Sequence, residues 1–190
     1  ADSLGVMKKV DERFLEGDHK IPDDNEFEQL KGPPLVDVVR KLQQVHGLPG
    51  QHQQLLAEYG WLTDEAYEKV VPMPGAEAFL VRAKKENWIT GVVTSNSIAR
   101  SKGWLVNRRL DGMIDVMVCG DDVIVGKPNP EPYLLALKRA ECEADAAIAI
   151  EDSPQGATAS VSAGIRTVGL NTHSNTLDHW PDGVRHEFFF

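Results

Sequence analysis

Glu151 and Asp152 stand side by side where an apolar run, Ile148-Ala149-Ile150, gives way to Ser153-Pro154 and a small-residue stretch closed by Gly164. In an open α/β sheet, ligands bind at the carboxyl ends of strands. Two carboxylates at such an end suit a hard cation such as Mg²⁺, which takes oxygen ligands. An acidic pair at a turn is also what an ordinary solvated loop looks like, so the pair gains meaning only from its company. Thr94-Ser95-Asn96-Ser97 follows the apolar Gly91-Val92-Val93. It joins hydroxyls to backbone N–H groups at a helix start, which is an anion cradle as well as a set of ordinary N-cap residues. Gly126-Lys127-Pro128-Asn129-Pro130-Glu131-Pro132 encloses one lysine in a proline-stiffened loop. A fixed ammonium is a good point-charge partner for phosphate, and alone it reads as an exposed surface lysine. Together the three clusters supply a hydroxyl donor, a fixed cation and a carboxylate pair at successive sheet edges. Phosphoryl transfer, where catalysis is mostly positioning and charge neutralisation, needs that set.

Strands and helices must hold these clusters in place. The spacing of Val6, Val10, Phe14 and Leu15 predicts a helix over 4–16, with Asp2-Ser3 able to cap it. Residues 17–34 are polar and broken by Gly and Pro, with a short helix expected near 24–30. Leu35, Val38, Val39, Leu42 and Val45 mark another helix, stopped by Gly47 and Pro49, and a further helical stretch over 51–70 is open to a break at Gly60. After Pro72-Met73-Pro74-Gly75 the pattern changes to alternation. It predicts helix 75–87 with Ala76, Phe79, Leu80 and Ala83 inward, buried strand 88–94, helix 97–109 and strand 114–119. An extended piece at 121–125, helix 130–140, strand 146–150, helix 154–163, strand 165–170 and a last strand at 187–190 complete it. Alternating strands and helices imply a parallel, three-layer α/β core.

The 190 residues suffice for one ordinary domain or for a domain with a small insertion. With 42% hydrophobic and 26% charged residues, the chain is expected to be soluble and globular. A net charge of −9 and the lack of any Lys/Arg block argue against a nucleic-acid partner. No apolar run reaches membrane-spanning length. Cys119 and Cys142 fit neither a metal spacing nor a disulfide framework, so a reducing, cytoplasmic compartment is expected. The six histidines lack metal-ligand spacing, and the four tryptophans read as packing residues.

Val-Val-Thr94-Ser95-Asn96, Gly126-Lys127-Pro-Asn-Pro-Glu-Pro and Ile-Glu151-Asp152-Ser153-Pro-Gln-Gly-Ala resemble the second, third and fourth motifs of the haloacid dehalogenase-like phosphohydrolase superfamily. The resemblance covers nearly the whole chain. It is nearest to the branch with an all-helical cap, which includes phosphoglycolate phosphatases and β-phosphoglucomutases. Gln29-Leu30-Lys31-Gly32 resembles the cap loop that reaches the active site in β-phosphoglucomutase-like members. The resemblance implies a Rossmann-like parallel core, with residues 1–3 a remnant of that core, 4–72 the cap, and 73–190 the rest of the core. It also implies roles. Thr94 would hydrogen-bond the transferring phosphoryl group, helped by Ser95 and Asn96. Lys127 would neutralise nucleophile and phosphate. Asp152 would bind Mg²⁺ with Glu151 supporting it, and Lys31 and Gly32 would touch the substrate. The partner would be a small phosphorylated metabolite such as a sugar phosphate or phosphoglycolate, attacked through an aspartyl-phosphate intermediate.

The family's first motif, a strand ending in Asp-x-Asp-Gly that carries the nucleophile, does not occur in these 190 residues. In the family it precedes an Asp-Ser like Asp2-Ser3 and lies mid-sheet beside the strand of the fourth motif. Its absence is expected to leave unpaired backbone and exposed apolar faces, so the chain reads as a portion of a longer one. Two other readings stay open: a phosphate-binding protein that has lost its nucleophile, and a dehalogenase on the same scaffold.

Overall fold

The computed structural model describes residues 4–16, 26–27, 30, 33–171 and 180–188. The chain divides into two compact units, residues 1–74 and 75–190.

The first unit is helical. Helix α1 (Leu4–Glu16), α2 (Leu35–His46) and α3 (His52–Tyr67) pack through Val10, Phe14, Leu15, Val38, Val39, Leu42, Tyr59 and Leu62. Residues 26, 27 and 30 are also helical, with Phe27 and Leu30 buried. Gly47 ends α2 at φ 59°, a left-handed conformation that glycine adopts without steric penalty. Helix α3 runs unbroken through Gly60, because packing on α1 and α2 overrides the low helix propensity of one glycine. Val45 does not join the core; it is 59% exposed, one turn beyond the last buried position of α2. A charged group lies inside this unit. Asp11 is 1% exposed and accepts a 2.6 Å hydrogen bond from the Tyr59 hydroxyl. Burial, which the hydrogen bond only partly offsets, pushes its carboxyl up to about 6, with Glu26 and Glu12 adding to the rise.

The second unit alternates strands and helices: α4 (Ala76–Lys85), β1 (Gly91–Val93), α5 (Ile98–Asn107), β2 (Val116–Val118), α6 (Glu131–Ala140), β3 (Ile148–Glu151), α7 (Pro154–Ser162), β4 (Arg166–Asn171) and β5 (Val184–Phe188). Every described strand pair is parallel, and β1–β2 and β3–β4 are joined through the helices α5 and α7, as parallel neighbours require. The strands form two sheets, β1–β2 and β3–β4–β5. Gly91 pairs with Val116 and Val93 with Val118 in the first; Ile148 pairs with Arg166 and Glu151 with Gly169 in the second. Among the described residues no strand pairs with the other edge of β1 or of β3.

That division corrects several expectations. The strand expected over 88–94 is only Gly91–Val93, and Trp88 and Ile89 are 50% and 59% exposed, because β1 has a partner on one side alone. In β3 the side chains alternate. Ala149 and Glu151 turn inward, while Ile148 and Ile150 remain 54% and 46% exposed. Phe79 of α4 is 46% exposed and meets Trp88 edge-on; of the four inward positions expected there, only Ala83 is fully buried. The extended piece expected at 121–125 is replaced by a 3-10 turn over Gly120–Asp122, where Asp122 accepts from the Cys119 N–H at 2.8 Å. A short side chain that captures nearby backbone donors favours a turn over a strand.

Candidate active site

The end of β1 is anchored before its loop begins. Thr94 N–H donates to the carbonyl of Val118 at 2.9 Å, extending the β1–β2 pairing by one residue. The chain then turns. Asn96 N–H donates to Thr94 Oγ1 at 3.2 Å, and Ser97 caps α5 by accepting from Arg100 N–H at 3.3 Å. The turn after β2 supports this loop from the side. Gly120 N–H donates to the carbonyl of Asn96 at 2.9 Å, and Asp121 Oδ2 accepts from Ile98 N–H at 2.7 Å. A Cβ on Gly120 would stand 2.5 Å from the carbonyl oxygen of Ser95, so only glycine permits this approach. Gly120 and Asp121 were not legible as site-forming residues. A glycine directly after a strand, followed by two carboxylates, was the available signal.

The lysine loop is tied by its own polar residues. Glu131 accepts from Ile124 N–H at 2.9 Å and Val125 N–H at 3.0 Å, and Asn129 Oδ1 accepts from Glu131 N–H at 2.9 Å. Pro130 precedes the first turn of α6, where its missing N–H costs nothing. The Lys127–Pro128 peptide is cis. So held, Lys127 points inward with its side chain 10% exposed. Its Nζ donates to the carbonyl of Val93 at 3.0 Å and lies 2.5 Å from Glu151 Oε1.

Glu151 is the last residue of β3 and is 5% exposed. Oε1 receives Lys127 and also the Tyr133 hydroxyl of α6, while Lys127 Nζ sits 5.3 Å from the centre of the Tyr133 ring. The Glu151 carboxylate lies where a Cβ of Gly156 would be, so the first turn of α7 accommodates it only because residue 156 is glycine. Ser153 caps that helix by accepting from Gly156 N–H at 3.1 Å. Asp152 follows, half-buried. Burial and the neighbouring Glu151 carboxylate push its carboxyl above the usual range, while Lys127 pulls the other way. Burial and the same carboxylate hold the Tyr133 phenol well above its ordinary value, so it remains a donor.

Thus one ammonium brings together the ends of β1 and β3, the strands that carry Thr94-Ser95-Asn96 and Glu151-Asp152. Tyr133 and Gly156 complete the cluster, and no local spacing in the sequence marks either as part of it. Tyr133 follows Lys127 by six residues within the same proline-rich segment. Lys31 and Gly32 lie outside the described residues. Among the described residues, no three His, Cys, Asp or Glu side chains converge as a ready metal cage. Cys119 is buried and Cys142 partly exposed, and both are free thiols.

The family model of haloacid dehalogenase-like hydrolases matches residues 2–170. The chain is 35% identical over 117 residues to the validoxylamine A 7'-phosphate phosphatase of Streptomyces hygroscopicus subsp. limoneus, a match covering 62% of this chain and 54% of that protein. It is 36% identical over 101 residues to the phosphorylated carbohydrates phosphatase of Thermotoga maritima, covering 53% and 47%. The chain therefore spans about half the length of the curated relatives it matches. The crystal structure of β-phosphoglucomutase from Clostridium difficile superposes with a TM-score of 0.79 at 18% identity, covering 92% of this chain and 81% of that one, which is a likeness of fold. With its parallel α/β core in place and nearly its whole length matched, the chain belongs to the haloacid dehalogenase-like hydrolase family.

Proposed function

We propose that the protein is a Mg²⁺-dependent phosphohydrolase, or a phosphomutase, acting on small phosphorylated metabolites such as sugar phosphates or phosphoglycolate. The observation that carries this reading is the placement of Lys127. Its ammonium bridges the strand end leading to Thr94 and the strand end leading to Asp152. The two relatives named for phosphatase activity on phosphorylated compounds support the same substrate class.

In this reading the Thr94-Ser95-Asn96 loop receives the phosphoryl oxygens. Thr94 Oγ1 accepts from Asn96 N–H, which orients it to donate its own proton. Lys127 neutralises charge that builds up during transfer, in a partly dry site where such an interaction is strengthened. The donor set fits Mg²⁺ in its chemistry. Asp152 is a carboxylate whose charge is costly beside Glu151, and Mg²⁺ is usually held by one or two carboxylates with water and substrate phosphate. Asp152 would hold the ion. Glu151, already engaged by Lys127 and Tyr133, would support it. Bound Mg²⁺ supplies neutralisation of the phosphate oxygens. The nucleophilic carboxylate of an aspartyl-phosphate route is not among the residues placed here. The helical segment 4–72 acts as the cap, with Lys31 and Gly32 contacting substrate, and a cytoplasmic location accompanies this reading. No described helix is long and apolar enough to cross a membrane.

The test is release of inorganic phosphate from a panel of sugar phosphates and phosphoglycolate, with Mg²⁺ and after full chelation. Release that needs Mg²⁺ supports the proposal. Activity that survives chelation, or removal of halide from haloacids in place of phosphate release, contradicts it.

A further inference from the structure

A buried tyrosine hydroxyl needs an acceptor, and many would serve. Tyr133 uses the one oxygen, Glu151 Oε1, that also holds Lys127. Three contacts fix that carboxylate: the Tyr133 hydroxyl, the Lys127 ammonium and the bare Cα of Gly156. The ring of the same tyrosine lies 5.3 Å beneath the ammonium. The tyrosine thus acts on Lys127 twice, through its ring directly and through its hydroxyl by way of Glu151. Its backbone sits in the first turn of α6, and it belongs to a buried cluster with Ala149, Ala159, Ala163 and Ile165.

We propose that Tyr133 is a positioning residue: its hydroxyl orients the Glu151 carboxylate, which fixes the Lys127 ammonium where a phosphoryl group binds. This rests on the phosphate reading above and extends it to a residue that touches no substrate. Without the hydroxyl, Glu151 Oε1 has one fewer donor, and the carboxylate and ammonium can reorient as a pair. Phenylalanine keeps the ring, its packing and its magnetic effect on nearby protons, so only the hydroxyl's contribution is removed.

The experiment compares the unsubstituted protein with Tyr133→Phe by NMR of the lysine ε-methylene protons, the Lys127 signal being assigned through Lys127→Met. A fixed side chain gives two separate ε-proton shifts; a freely turning one gives a single averaged shift. The separation is expected to collapse in Tyr133→Phe. The dissociation constant for inorganic phosphate with Mg²⁺ is expected to rise by about three- to tenfold, the scale of one hydrogen bond. Leu137→Ala, which removes packing from the same cluster on the same helix, controls for general loosening. It is expected to lower the melting temperature and leave the Lys127 signals separated. An unchanged Lys127 signal in Tyr133→Phe overturns the proposal, as does an equal collapse in Leu137→Ala, or a collapse with unchanged phosphate affinity. If the unsubstituted protein binds no phosphate at all, the functional reading falls, while a collapse specific to Tyr133→Phe still supports the hold of the hydroxyl on Lys127.

Discussion

Lys127 Nζ lies 2.5 Å from Glu151 Oε1, with both side chains nearly out of solvent. A buried ion pair is dangerous to break, because the partner left behind keeps its desolvation cost without compensation. Lys127→Met leaves Glu151 with the Tyr133 hydroxyl. The expected loss is about 3–5 kcal/mol of unfolding free energy, the usual cost of orphaning one member of such a pair. Urea denaturation measures it; an unchanged midpoint means that Glu151 finds solvent in the folded protein. The double variant Lys127→Met, Glu151→Gln is expected to recover part of the loss.

Gly156→Ala tests the other side of the same carboxylate. The added methyl would overlap the Glu151 carboxyl group. Since the obstacle is a side chain held at two further points, relief requires those contacts to break. A loss of roughly 1–3 kcal/mol is expected, the range for overpacking, with weakened phosphate binding alongside. Ala157, in the same helix and fully buried, provides a comparison through Ala157→Gly. That change is expected to cost stability without affecting the Lys127 signals.

Asp11 gives the helical unit a pH dependence with a defined sign. Its folded pKa of about 6 lies above the ordinary value of 3.8, so the folded state binds this proton more tightly than the unfolded chain does. The associated stability is full below pH 4 and is lost as the pH rises through 6, by at most about 3 kcal/mol. Asp11→Asn removes the ionisation while keeping an oxygen to accept from Tyr59. It is expected to stabilise the protein at pH 7.5 and to flatten the stability profile between pH 4 and 7. Equal denaturation midpoints at pH 7.5 would contradict a buried, charge-averse Asp11.

Gly120→Ala is directed at the loop after β1. The new Cβ would meet the backbone of Ser95 at 2.5 Å, so the loop or the turn must shift. Asp121→Ala instead removes the acceptor of Ile98 N–H, with an expected cost of about 1 kcal/mol as for a lost helix cap. Gly120→Ala is expected to weaken phosphate binding more than Asp121→Ala does, because it displaces the residues proposed to hold the anion. Titration with inorganic phosphate compares them, and equal affinities would remove the Thr94–Asn96 loop from the site.

The sequence was informative wherever one residue's local pattern settles its fate. Helical periodicity placed α1 and α2, Pro130 and Ser153 marked helix starts, and Gly47 marked an end. Val45, Phe79 and Trp88 failed because periodicity identifies an apolar face but not whether anything covers it. Strand limits failed for a related reason. β1 and β3 each lack a pairing partner on one edge among the described residues, so apolar residues at 88, 89, 148 and 150 stay exposed. The adjacency of Glu151 and Asp152 is legible in the sequence, but not the partners of Glu151, since strand alternation turns it inward toward Lys127 and Tyr133. Tyr133 and Gly156 act through partners that are remote or out of sequence phase, which spacing alone does not reveal.

The most direct test of the account is calorimetric titration of inorganic phosphate, with and without Mg²⁺, into the unsubstituted protein and Asp152→Asn. The expected result is phosphate binding that Mg²⁺ tightens by about tenfold or more, the scale of coupling between ligands sharing a site, and no effect of Mg²⁺ in Asp152→Asn. The same Mg²⁺ enhancement in both proteins, or no phosphate binding by the unsubstituted one, would contradict the assignment of this cluster as a phosphoryl-transfer site.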